Sequence, residues 1–157
     1  MKKIIIAIDS FKGCLTSAEA GKAAEKGIKS INPSCHTSVI PIADGGEGLL
    51  DVLITATKGK YITLSAHGPL MKMAKTHYGL SGNGRTAIIE MAAISGLPLV
   101  PIEQRNPMLT TTFGTGELIK DALNKGCRNF IIGIGGSATN DAGLGMLQAL
   151  GFRFLDK

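Results

Sequence analysis

The sequence contains no tryptophan, and aromatic residues make up only 4% of it. Proteins that bind single-stranded nucleic acids stack bases on aromatic side chains, so this scarcity argues against that class. The formal net charge is +5, but the lysines and arginines are scattered along the chain rather than clustered. We therefore expect no nucleic-acid partner, and the positive charge instead favours small anionic ligands.

Cysteines and long apolar segments are also scarce. The three cysteines (Cys14, Cys35 and Cys127) are widely spaced and include no CxxC pair, which is typical of a reducing compartment and of a protein without a structural metal. The apolar run at residues 4–8 is too short for the core of a signal peptide. No segment approaches the roughly 20 apolar residues that span a membrane. We expect a cytoplasmic protein with no membrane partner.

Glycine, in contrast, is abundant. The 21 glycines among 157 residues are about twice the usual share, and because they follow no collagen-like period they must serve turns and loops. Hydrophobic residues make up 44% of the chain, which predicts a globular fold with a core of its own.

Strand–loop–helix units occur towards both ends of the chain. Branched apolar residues at 4–8 predict a strand buried in a parallel sheet, and Thr16 and Glu19 form the capping box of the helix that follows. The same pattern predicts strands at 39–43, 129–134 and, from 152 to 155, the start of another, with helices at 49–58, 117–125 and 142–150. This alternation predicts an α/β fold with a Rossmann-like, mostly parallel sheet.

The middle of the chain differs from its ends. Strands at 61–66, 75–80 and 86–91 are separated only by turn signals, which predicts an antiparallel meander. A composition shift near residue 60 marks a boundary between a Rossmann-like lobe (1–60) and a second, mixed α/β lobe (61–157). Because the last predicted strand ends with the chain, we expect the sequence to be truncated.

Four loops share one design, in which small residues lead into the start of a helix. They lie at residues 9–17, 43–48, 112–116 and 135–141. The first turn of a helix offers unpaired N–H groups and a partial positive charge, and glycine lets a ligand approach them closely. Any one of these loops can be no more than a tight turn with an N-cap. Together they favour a phosphate or carboxylate ligand at the carboxyl ends of the strands.

Charged side chains in these loops suggest phosphoryl transfer. That chemistry needs a cation over the phosphates, an acid to hold Mg²⁺ and a group that orients the attacking hydroxyl. Lys12 can supply the cation and Asp44 the base or a metal ligand, although a solvated lysine and an aspartate N-cap are the structural alternatives. There is no GxxxxGK[ST] motif, which excludes an ordinary P-loop, and the three histidines lack metal-ligand spacing.

A dinucleotide site is the rival interpretation. Gly133, Gly135 and Ala138 follow a predicted strand with the spacing of the NAD fingerprint, and Asp156 lies near the expected offset. The fingerprint usually opens its domain, however, and here it comes late and leaves the first two loops without a role. An NAD-dependent oxidoreductase and a non-catalytic nucleotide-binding fragment stay open as alternatives.

Long motifs along nearly the whole chain resemble the type I glycerate kinase family. They are DSFKGCLTSAEA (9–20), PIADGGEG (41–48), HGPL (67–70), AIIEMAAISGLPLV (87–100), RNPMLTTTFGTGELI (105–119) and IIGIGGSATNDAGLGMLQALGFRF (131–154). Cys14 stands where serine is commoner and Ala142 where glycine is commoner. Members of that family are more than twice as long, so the chain resembles their N-terminal portion.

The resemblance implies phosphorylation of D-glycerate with ATP and Mg²⁺ in a two-domain α/β enzyme. It implies 2-phosphoglycerate as a more frequent product than 3-phosphoglycerate, and a homodimer stays open. On this basis we predict Lys12 and Asp44 as catalytic and Asp141 as a metal ligand. The predicted phosphate- or substrate-binding residues are Asp9, Ser10, Gly45, Gly46, Gly135, Gly136, Ser137 and Asn140. Which loop binds ATP and which binds glycerate is not predicted.

Overall fold

The computed structural model describes residues 3–155, in which strands and helices form two sheets and the layers that cover them. The strands are β1 (Lys3–Ile6), β2 (His36–Val39), β3 (Lys60–His67), β4 (Met73–Leu80), β5 (Thr86–Glu90) and β6 (Asn129–Gly133). The α-helices are α1 (Ser17–Ile31), α2 (Leu49–Thr57), α3 (Ala92–Ser95), α4 (Phe113–Asn124) and α5 (Leu144–Ala149). No helix within residues 3–155 is both long and apolar enough to cross a membrane.

The first sheet pairs β1 with β2 in parallel, and α1 connects them. Both halves of the predicted Thr16–Glu19 capping box are present at the start of α1. The second strand lies earlier than the predicted 39–43, because its ladder ends where Ile40 N donates to Ile6 O and the next residue, Pro41, has no N–H to donate.

The second sheet has the order β3-β4-β5-β6. Antiparallel pairing of β3, β4 and β5 confirms the predicted meander, and β6 then pairs with β5 in parallel. Glu90 and Gly133 are register partners at the carboxyl ends of β5 and β6. The loops that follow these two strands therefore start side by side.

The main core lies between the second sheet and α4. Tyr78 is fully buried there, and its hydroxyl donates to Asp121 Oδ2 at 2.9 Å. On the other face, Leu50 and Ile54 of α2 pack against Ile88 of β5. The helix that the sequence places in the first lobe thus covers the second sheet, and the division near residue 60 stays a prediction.

The chain beyond β6 differs from the prediction in two places. The last helix begins at Leu144 and not at residue 142, because Ala142 and Gly143 both have left-handed φ angles (51° and 76°) that cannot continue into an α-helix. The strand predicted at 152–155 is wrong, since these residues have no strand partner among the described residues. Asp156 lies outside the described residues.

Candidate functional site

The first glycine-containing loop is a closed turn that presents Lys12 at its exposed tip. Phe11 N donates to Leu15 O at 2.8 Å and Leu15 N donates back to Phe11 O at 3.0 Å, while Gly13 adopts a left-handed φ of 74° between them. Before the turn, Asp9 Oδ1 accepts a hydrogen bond from Ser10 N at 2.7 Å. The predicted residues Asp9, Ser10 and Lys12 are thus held on one short, constrained segment.

The buried hydroxyl of Ser17 connects this loop to the second strand. Ser17 Oγ donates to Ile8 O at 2.7 Å and accepts from Ile42 N at 2.9 Å. Because Ile8 precedes the first loop and Ile42 precedes the second, one side chain fixes the distance between the two loops. Sequence analysis treated Ser17 only as part of a helix start.

A cleft of about 450 Å³ lies between the first loop and α2. This volume is in the range of small-molecule sites. Its polar lining residues include Ser10, Lys12, Glu47, Asp51, His77 and Glu90. One cation at the loop tip therefore shares a small-molecule cleft with several carboxylates from the opposite wall.

The second and fourth loops pack directly against each other through glycines. Gly135 N donates to Gly45 O at 3.3 Å, and a Cβ atom added to Gly135 would lie only 2.7 Å from Gly46 Cα. Gly46 N in turn donates to Asp44 Oδ1 at 3.0 Å within the loop, and because the N-cap of α2 is Gly48, Asp44 is not the cap of that helix. Gly135 thus forms a backbone contact that leaves no room for a larger residue, whereas a Cβ atom at Gly46 would lie 3.8 Å from Gly135 Cα and one at Gly45 would meet nothing within 4 Å.

Glu90 is a residue of the cleft that sequence analysis missed. Its Oε1 accepts a hydrogen bond from Leu50 N at 2.7 Å, in the first turn of α2. Burial raises the pKa of Glu90 and the nearby charge of Asp51 adds to this, although the hydrogen bond from Leu50 N opposes both. An acid placed directly after the buried pair Ile88 and Ile89, at the carboxyl end of a strand, is a signal that could have found it.

Asp141 joins the third and fourth loops. Its carboxylate accepts hydrogen bonds from Thr112 N and Thr112 Oγ1, both at 2.8 Å, and from Gly143 N and Gly145 N, both at 3.1 Å. Desolvation by itself would raise the pKa of Asp141, but these hydrogen bonds outweigh it and the pKa lies below its ordinary value. Both oxygens therefore stabilise loops, and the metal role stays a prediction.

Of the residues predicted for the site, only Ser10 and Lys12 line the cleft. Its lining does not include the other predicted residues, which are Asp9, Asp44, Gly45, Gly46, Gly135, Gly136, Ser137, Asn140 and Asp141. Gly136 O accepts from Leu97 N at 3.0 Å, and Ser137 Oγ accepts from Thr139 N at 3.0 Å. Ser137 lines a smaller cavity of about 200 Å³ together with Arg105, and Asn140 is exposed. The structure does not bring Ser137 into the cleft that contains Lys12.

The cleft suits a metal that arrives with phosphate better than one bound by protein alone. Among residues 3–155 no group of three or more His, Cys, Asp or Glu side chains could hold a metal ion. Magnesium, however, commonly uses only one or two carboxylates and takes its other ligands from substrate phosphates and water. Glu47 and Asp51 line the cleft and could fill that role.

Replacing Asp141 with asparagine is expected to lower the free energy of unfolding by about 2–3 kcal/mol, because buried donors lose an acceptor. Since the folded pKa of Asp141 is depressed, its contribution is present above the unfolded pKa and is lost as the pH falls through the folded value. Urea unfolding at a series of pH values measures both effects. The exposed Glu103→Gln variant is the control, and equal stability of the two variants at neutral pH would contradict the prediction.

The fold and the cleft together define an α/β protein with a candidate small-molecule site between the first glycine-containing loop and α2. The sequence model of the Glycerate kinase family matches residues 4–157. The chain belongs to this family.

Individual relatives agree with the family match. The chain is 57% identical over 154 residues to a glycerate kinase of Haemophilus influenzae, covering 98% of this chain and 41% of that protein. It is 52% identical over 154 residues to the glycerate 2-kinase of Escherichia coli K12, covering 98% of this chain and 40% of that protein. A crystal structure from Salmonella typhimurium LT2, assigned as glycerate kinase 2, superposes with a TM-score of 0.82 at 51% identity, covering 96% of this chain and 40% of that one. The chain thus spans about two fifths of these relatives' length.

Proposed function

We propose that the natural protein is a glycerate kinase that transfers the γ-phosphoryl group of ATP to a hydroxyl of D-glycerate. The observation that carries this proposal is the cleft in which Lys12 faces the carboxylates on the wall formed by α2 and the residues before it. A hydroxyl oxygen of glycerate forms the new bond to phosphorus, the bond from the γ-phosphorus to the bridging oxygen breaks, and the hydroxyl proton passes to a base. The relative named glycerate 2-kinase supports 2-phosphoglycerate as the product.

Six of the predicted residues have a role in this proposal: Lys12, Asp44, Asp9, Gly45, Gly46 and Gly135. Lys12 places positive charge next to the phosphoryl group as negative charge develops on its oxygens. Mg²⁺, when bound with ATP, neutralises further charge on the phosphates, and Glu47 and Asp51 would hold it. Asp44 is proposed as the base, and Asp9 shapes the first loop by its hydrogen bond to Ser10 N. Among the predicted glycines, Gly45, Gly46 and Gly135 hold the second and fourth loops in contact.

The structure disfavours the NAD alternative. In a dinucleotide fingerprint the second glycine leaves room for the pyrophosphate, and the helix begins within the motif. Here a Cβ atom at Gly133 would lie 2.7 Å from Leu49 Cδ2, the space beside Gly135 is filled by Gly46, and α5 begins only at Leu144. The backbone positions that would approach a pyrophosphate are therefore already in contact with protein.

We also propose that the protein acts in the cytoplasm on small molecules. The thiols of Cys14 and Cys127 are free, which agrees with a reducing compartment. A homodimer remains compatible with this proposal and is checked by light scattering of the natural protein.

The test is a coupled assay of ADP release by the natural full-length protein with D-glycerate and Mg²⁺. We expect turnover at least about a hundredfold above the control with ATP alone, and phosphorus NMR of the product then distinguishes the 2- from the 3-phosphate. Absence of turnover above that control would overturn the proposal. Tight binding in an NADH fluorescence titration would favour the oxidoreductase, and ATP binding without turnover would favour a non-catalytic nucleotide-binding protein.

A further inference from the structure

The helix α2 lacks an N-terminal cap from its own sequence. Its N-cap residue is Gly48, which adopts a left-handed φ of 90° and has no side chain that could accept a hydrogen bond. The first N–H groups of a helix need acceptors, and their partial positive charge attracts carboxylates. α2 therefore requires an acceptor from elsewhere in the fold.

Glu90 supplies this acceptor from a position 40 residues further along the chain. Its Oε1 accepts from Leu50 N at 2.7 Å, so the carboxylate at the end of β5 lies against the first turn of α2. Leu50 is itself fully buried and packs with Ile54 on Ile88 of the same strand. The hydrogen bond and the apolar contact together fix the helix start on the sheet.

The same arrangement fixes the second glycine loop. Gly133 is the register partner of Glu90, and the backbone of Gly45 occupies the space where a Cβ atom of residue 133 would lie. Met91 N donates to Gly133 O at 2.9 Å. The 44–48 loop is thus held at both ends: Gly45 contacts β6, and Gly48 leads into the turn that Glu90 caps. Glu47, between these points, lines the cleft.

We propose that Glu90 is a positioning residue, which holds the 44–48 loop and the start of α2 in the geometry needed for phosphoryl transfer. It also occupies the helix N-terminus that an anionic ligand would otherwise take, and so directs phosphate towards Lys12 on the opposite wall. This inference rests on the proposed kinase function. It also changes one prediction from the sequence, because the second of the four loops then acts as a scaffold and not as an anion site.

Two conservative variants distinguish the effect of the position of the Glu90 acceptor oxygen from the effect of its negative charge. Glu90→Gln keeps an oxygen at the same distance but loses the charge, whereas Glu90→Asp keeps the charge but retracts it from Leu50 N. In the natural full-length protein we expect Glu90→Gln to retain kcat within about threefold, and Glu90→Asp to lose about thirtyfold in kcat with little change in KM for ATP, because a misplaced loop misaligns the reacting groups. The exposed Glu103→Gln variant serves as the control.

Hydrogen exchange of the Leu50 amide gives a second measurement that does not depend on turnover. Exchange should be unchanged in Glu90→Gln and at least about tenfold faster in Glu90→Asp, since only the latter leaves the amide without its acceptor.

Three outcomes would overturn the inference. A Glu90→Asp variant more active than Glu90→Gln would show that the charge matters more than its position, and equal activity of the two would show that contact with Leu50 N does not affect turnover. Equal Leu50 exchange in both variants would show that the hydrogen bond does not hold the helix start. If the unmodified protein does not phosphorylate glycerate, the proposed function fails by itself, and the exchange measurement still decides whether Glu90 caps α2.

Discussion

Replacing Lys12 with alanine is expected to lower the kcat of the natural full-length protein about 10²–10³-fold, which is the usual cost of losing one preorganised charge at a developing negative centre. Lys12 lies at the exposed tip of a closed turn, so the truncation removes no buried contact and opens no cavity. The melting temperature should therefore stay within about one degree of the unmodified protein.

The matched control is Lys120→Ala, which removes an exposed lysine from α4 and should leave kcat unchanged. Both variants lower the net charge equally, so a general loss of positive potential would affect them alike. Steady-state kinetics with D-glycerate and ATP measure the difference. A Lys12→Ala enzyme with near-normal kcat would remove this residue from the mechanism, whatever its effect on KM.

Replacing Gly135 with alanine is expected to lower the free energy of unfolding by about 2–3 kcal/mol and kcat by about a hundredfold. The added Cβ would lie 2.7 Å from Gly46 Cα and 3.2 Å from Gly46 N, and backbone atoms cannot move aside as a flexible side chain can. The second and fourth loops must then separate, which displaces Asp44 and Glu47 from their positions. Urea unfolding and steady-state kinetics measure the two effects.

Gly27→Ala is the control for this substitution. Gly27 lies in α1, and a Cβ atom there would meet nothing within 4 Å, so alanine should stabilise the helix by up to about 1 kcal/mol without changing kcat. If Gly135 serves only to let a phosphate approach, Gly135→Ala will raise KM and leave stability intact. That result would contradict the loop-packing role assigned to it.

Much of the local structure could be predicted from the sequence. The Thr16–Glu19 capping box joins residues three apart, and the meander of β3, β4 and β5 follows from turn signals between short apolar strands. Predictions failed where they needed a partner or an unusual backbone angle. The final strand at 152–155 has no neighbour to pair with among the described residues, and the left-handed φ of Ala142 delays α5.

The candidate site was only partly predictable for the same reason. Sequence analysis grouped four loops into one site. The structure places Lys12 of the first loop and Glu47 and Gly48 of the second at one cleft, but Asp44 does not line it and Ser137 of the fourth loop lines a different cavity. Glu90 was missed because its significance comes from Leu50, whose amide it caps across the fold. The apolar residues near the end of a strand do not by themselves show which helix packs against that strand.

The sequence by itself determined the α/β class, the glycine loops that begin helices and the family to which the chain belongs, because these depend on residue types and spacings within short segments. The tertiary structure alone decided how those loops are used. Asp141 accepts a hydrogen bond from Thr112 N, 29 residues away, and Glu90 accepts one from Leu50 N, 40 residues away. The two carboxylates thus occupy N–H groups at helix starts, which from the sequence alone are equally suited to phosphate. Hydrogen bonds between residues far apart in the chain form only when the sheet brings the ends of its strands together, and no pattern within a short segment predicts which ends will be neighbours.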